Sequence, residues 1–69
     1  MKKIIIIPTY NENKNVQIIF NKIRKYIKNI EILFVDDNSP DGTLNIIKKI
    51  TKKDRKVKYL KRPMRRGLG

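Results

Sequence analysis

Four of the six acidic residues of this 69-residue chain lie in two short polar stretches. Ile7-Pro8-Thr9-Tyr10-Asn11-Glu12 holds one, and Val35-Asp36-Asp37-Asn38-Ser39-Pro40-Asp41-Gly42-Thr43 holds three. Elsewhere the chain is basic, with 18 Lys+Arg and a formal net charge of +12. Each polar stretch follows directly on an aliphatic run, so its acids sit where a strand ends. A carboxylate fixed at a strand end beside a helix N-terminus is an acceptor awaiting donors. Guanine and uracil both present a ring N–H, and each charge-assisted bond to one contributes about 1.5–3 kcal/mol. Asp37 is the first candidate for that acceptor, with Asp36 orienting the loop or contacting a ribose. The chain contains no histidine and no cysteine, which excludes a His base, a His-ligated metal, a thiolate site and a disulfide framework.

The elements that must position these residues alternate. Residues 3–7 form a continuous β-branched run, predicting a strand buried on both faces, and Pro8 is expected to end its pairing. Val16, Ile19, Phe20, Ile23, Ile27 and Ile30 recur at helical spacing, with Asn13 as the expected N-cap. Residues 32–35 read as a second buried strand. After a break at 38–42, Leu44, Ile47 and Ile50 mark the inward stripe of a second helix, with Lys48, Lys49 and Lys52 facing out. Ser39 or Asp41 is expected to cap it. Residues 53–56 read as a turn and 57–60 as a third strand, half exposed. Residues 61–69 show no periodic pattern.

Strand, helix, strand, helix, strand implies an α/β fold with parallel strands and right-handed crossovers. In such sheets ligands bind beyond the carboxyl ends of the strands, where both polar stretches fall. Each residue has a plainer reading. Asp41-Gly42 and Asn38-Ser39 serve ordinary turns, Pro8 ends a strand, and Tyr10 is a half-buried aromatic. Their joint arrangement at two strand ends is what points to a site. The net charge has a plainer reading too, as solvated lysines in a chain rich in Ile and Asn. The denser cluster Lys61-Arg62 and Arg65-Arg66 is the basic segment with functional promise. The apolar runs fall far short of the ~20 residues a membrane helix needs. Met1-Lys2-Lys3 and four isoleucines are cut off by Pro8 before a signal sequence could form, so a cytoplasmic chain is expected.

The two stretches, Ile-Pro-Thr-Tyr-Asn-Glu-Asn-Lys-Asn at 7–15 and Val-Asp-Asp-Asn-Ser-Pro-Asp-Gly-Thr at 35–43, resemble the start of the family 2 glycosyltransferases. The Ser-Pro-Asp-Gly-Thr ending and Arg66-Gly67-Leu68-Gly69 look most like the dolichol-phosphate and polyprenol-phosphate mannosyltransferases. The resemblance covers residues 1–69 and implies the N-terminal, nucleotide-binding part of a Rossmann-like GT-A fold. It implies that Pro8, Tyr10, Glu12, Val35 and Asp37 line the nucleotide-sugar pocket, with Asp36 and Arg66 as further contacts. It also implies a GDP-mannose donor, a lipid-phosphate acceptor at the cytosolic membrane face, and a divalent cation, Mg2+ or Mn2+, on the diphosphate.

The Asp-x-Asp motif that holds this cation in the family is absent from the sequence. Asp36-Asp37 does not replace it, because adjacent residues of an extended segment point to opposite faces. The 69-residue chain is therefore expected to be inactive alone and marginally folded, the product of a truncated or split gene, with a downstream complementing chain as an expected partner. Two rival readings stay open. A small basic nucleic-acid binder explains the charge but not the acidic loops, and a nucleic-acid partner is not expected. A receiver-like signalling domain would need an acid at the end of a later strand, where Lys61-Arg62 stands instead.

Overall fold

The computed structural model describes residues 3–62. In chain order the elements are β1 (Ile4–Thr9), α1 (Val16–Tyr26), β2 (Glu31–Asp36), α2 (Thr43–Lys53) and β3 (Val57–Lys61). The strands form one parallel sheet in the order β1-β2-β3. Two crossovers of the same hand step the same way across the sheet, so both helices cover one face. Burial along β2 records this layering. Ile32, Phe34 and Asp36 are buried toward the helices, while Leu33 and Val35 are only half-buried on the other face. The core joins Ile32 and Phe34 to Val16, Ile47, Ile50 and Val57, with Ile7, Phe20, Ile23, Ile30 and Ile46 packed around them.

Several expectations need correction. β1 is not buried on both faces: Ile4 and Ile6 are 51% and 60% exposed, because no helix among the described residues covers their side of the sheet. Nor does Pro8 end the strand, which continues to Thr9 with Pro8 opposite Val35. Glu31 N donates to Lys3 O and Asp37 N to Thr9 O, so odd-numbered residues of β1 bond β2. Pro8 therefore directs its missing N–H to the free edge and breaks no ladder bond. Helix α1 ends at Tyr26, leaving Ile27 as its half-exposed C-cap. The N-cap is Asn15; Asn13 turns its amide to Asp41 O instead. Leu44 is half-buried, and Thr43 joins Ile47 and Ile50 on the buried stripe of α2. In β3 only Val57 is buried. No helix among the described residues is long and apolar enough to cross a membrane.

Candidate functional site

At the carboxyl ends of the strands, the residues after β1 and β2 are bound into one another. Asn11 N donates to Ser39 Oγ at 2.9 Å, Glu12 N to Thr43 Oγ1 at 2.9 Å, and Asn13 N to Asp41 Oδ2 at 3.2 Å. Three consecutive amides of the first loop thus meet alternate side chains of the second. Asp41 accepts from Thr43 N at 3.0 Å and from the Thr43 hydroxyl, which closes the clasp. Partial burial works against the Asp41 carboxylate, but bonds from Thr43 and Asn13 outweigh it and hold its pKa below the ordinary 3.8. Gly42 holds the N-cap position of α2, and Asp41 just before it both accepts from the first helical amide, Thr43 N, and fastens the first loop. Gly42 has φ +90°, a conformation L side chains rarely adopt. Asn11 and Asn38 are also left-handed, at φ +54° and +60°, and asparagine is among the few side chains that tolerate this.

Asp36 and Asp37 part company as the alternation requires. Asp36 is fully buried on the helix side, accepting from Thr9 Oγ1 at 2.8 Å, Ser39 N at 2.9 Å and Ser39 Oγ at 2.6 Å. It ties β1 to the turn after β2 and does not line the open face. Asp37 faces the other way. Its backbone N–H is fixed to Thr9 O at 2.9 Å, and its Oδ1 is buried with no hydrogen bond, 3.4 Å from Arg62 Nε.

Asp37 lines a cavity of about 250 Å³ together with Pro8, Thr9, Tyr10, Glu12, Val35 and Arg62. Pro8 and Val35 are register partners on the open face and form an apolar floor. Five residues singled out in the sequence, Pro8, Tyr10, Glu12, Val35 and Asp37, thus share one concavity. Asp36 stays outside it, and Arg66 lies outside the described residues. Sequence reasoning gave Arg62 only a place in a basic cluster. Its alignment opposite Asp37 follows from the β2–β3 register, which pairs Asp36 with Lys61. A divalent cation finds no setting here: no cluster of three or more His, Cys, Asp or Glu able to hold a metal occurs among the described residues. Asp36 is spent on Thr9 and Ser39, and Asp37 stands on the opposite face.

Comparison with known proteins identifies the arrangement. The model of the glycosyl transferase family 2 matches residues 4–69. The chain belongs to that family. It is 40% identical over 70 residues to the dolichol-phosphate mannosyltransferase of Pyrococcus furiosus, covering 99% of this chain and 20% of that protein. Identity to the polyprenol monophosphomannose synthase of Mycolicibacterium smegmatis is 36% over 69 residues, covering 99% and 26%. CsbB of Bacillus subtilis, whose assignment is no finer than glycosyltransferase, is 45% identical over 60 residues, covering 81% and 18%. The chain thus spans about a fifth to a quarter of the length of these relatives. The mannosyltransferase PcManGT from Pyrobaculum calidifontis, solved with GDP-Man and Mn2+, superposes with a TM-score of 0.80 at 24% identity, covering 94% of this chain and 20% of that one. The sheet and two helices of this family 2 chain are thus part of a Rossmann-like GT-A fold.

Proposed function

We propose that residues 1–69 are the nucleotide-binding portion of a glycosyltransferase that moves mannose from GDP-mannose to a polyprenol phosphate. The observation that carries this reading is the partly exposed carboxylate of Asp37 lining one cavity with Pro8 and Val35. A ring N–H donates to that carboxylate, Tyr10 and the apolar floor contact the base, and Glu12 lies at the cavity wall. Three lines support the mannosyl donor and lipid acceptor: the names of the Pyrococcus and Mycolicibacterium relatives, and the GDP-Man bound to PcManGT. The acceptor places the working enzyme at the cytosolic membrane surface.

The Mn2+ of PcManGT argues for a divalent cation on the diphosphate in the complete catalytic domain. The described residues do not fit such an ion, and no step is assigned to it here. Their task is to bind and orient the nucleotide. The isolated chain is accordingly inactive as a transferase. Calorimetric titration with GDP tests the reading: saturable binding that disappears in Asp37→Ala is expected. Equal binding by the wild type and Asp37→Ala would refute the assignment of Asp37, and mannosyl transfer by the isolated chain would refute its inactivity.

A further inference from the structure

Arg62 is the one cation among the cavity-lining residues, and it stands beside the carboxylate that the nucleotide reading assigns to the base. The backbones of both residues are fixed. Arg62 N donates to Asp36 O at 2.8 Å, and Asp37 N donates to Thr9 O at 2.9 Å, so neighbouring ladder bonds set their spacing. The side chains meet only loosely, at 3.4 Å, and the Arg62 side chain is 57% exposed. A guanidinium closing on a carboxylate as its sole partner makes shorter, bidentate bonds. Here one oxygen remains free to accept, and the guanidinium keeps N–H groups free to donate.

We propose that Arg62 and Asp37 together form an acceptor–donor pair that selects nucleobases carrying a ring N–H directly beside a carbonyl. Resting on the nucleotide-binding assignment, this adds a specificity-determining residue to it. The Asp37 carboxylate takes the ring N–H, and Arg62 donates to the adjacent carbonyl oxygen. Guanine, hypoxanthine and uracil present that edge. Adenine and cytosine put a bare ring nitrogen there, so its lone pair faces the Asp37 carboxylate and an amine faces the Arg62 cation. Rejection comes from repulsion as well as from lost bonds.

The test is calorimetric titration of the chain with the diphosphates of guanosine, inosine, uridine, adenosine and cytidine. The first three are expected to bind at least about tenfold more tightly than the last two, as one two-point base contact allows. Inosine diphosphate separates the ring edge from the guanine amine and is expected to stay with the tight group. Arg62→Gln and Arg62→Ala should each lower the discrimination by about threefold or more, leaving the part that Asp37 supplies, with circular dichroism unchanged. Binding of all five diphosphates without preference, or a preference undiminished by both substitutions, overturns the role of Arg62 while leaving nucleotide binding intact. Failure of the folded wild type to bind any of the five overturns the nucleotide reading itself, and this inference with it.

Discussion

Asp36 and Asp37 are adjacent in sequence and opposite in role. Asp36 is buried under three hydrogen bonds, whereas the Asp37 Oδ1 has none. Asp36→Ala strands the Thr9 hydroxyl and the Ser39 amide and should cost about 3 kcal/mol, read as a lowered melting temperature. Asp37→Ala should leave the melting temperature within about 2 °C, because its Oδ1 makes no hydrogen bond and its ion pair with the exposed Arg62 is loose. A reversed pattern would exchange their assignments. Thr43→Val keeps the shape but leaves Glu12 N–H without its acceptor, and should cost about 1–2 kcal/mol by the same measurement. The strand alternation made the division between the two aspartates legible in the sequence. The clasp was not, since Asn11 with Ser39 and Glu12 with Thr43 lie 28 and 31 residues apart. Local spacing shows Ser39, Asp41 and Thr43 only as turn formers and caps. The asparagines at 11 and 38 carried a usable signal, one left-handed residue after each strand end.

At the scale of elements, hydrophobic periodicity located all five, and the errors cluster at their ends. Pro8 reads as a stop because a proline has no N–H, yet which edge that position faces is decided by the register with β2. The α1 stripe continues past Tyr26 because Ile30 still packs against the core from outside the helix. Arg24 is the joint at that end. It donates to Asp54 Oδ2 at 2.6 Å and Ile30 O at 2.8 Å, and lies 5.7 Å from the Phe20 ring centre. The Arg24 bond holds the Asp54 carboxyl below its ordinary 3.8, against partial burial, with the Lys56 amide assisting. A carboxylate with a depressed folded-state pKa stabilises fully above the unfolded value and loses that contribution as pH falls through the folded one. The melting temperature should therefore be flat from neutrality to about pH 5 and drop below the unfolded value of 3.8. Arg24→Met should cost about 1–2 kcal/mol at neutral pH, between exposed and buried pairs, and shallow the acid slope. An unchanged slope would mean that Arg24 does not set the Asp54 shift.

Among the described residues the chain forms a two-layer slab, 35 × 26 × 18 Å, with both helices on one side of the sheet. Ile4, Ile6 and Leu60 stand exposed on the other side, and the fully buried apolar residues are few for a domain. A broad, low-temperature melt is expected of residues 1–69 alone, and a sharp transition above about 60 °C would contradict it. This asymmetry could not be read from the sequence, because the β-branched run of β1 looks the same whether one face or two are covered. The exposed helix residues Lys22, Lys25, Lys48, Lys49 and Lys52 are five of the 18 basic residues, and none of them lines the cavity. Charge and site are thus separable by experiment. The most direct measurement is a two-dimensional amide NMR titration of the 69-residue chain with GDP. Nucleotide binding at the strand ends predicts saturable shifts confined to residues 9–13, 35–39 and 62, lost in Asp37→Ala. Shifts spread over the helix lysines and abolished by salt, or a folded spectrum that does not respond, would contradict the account.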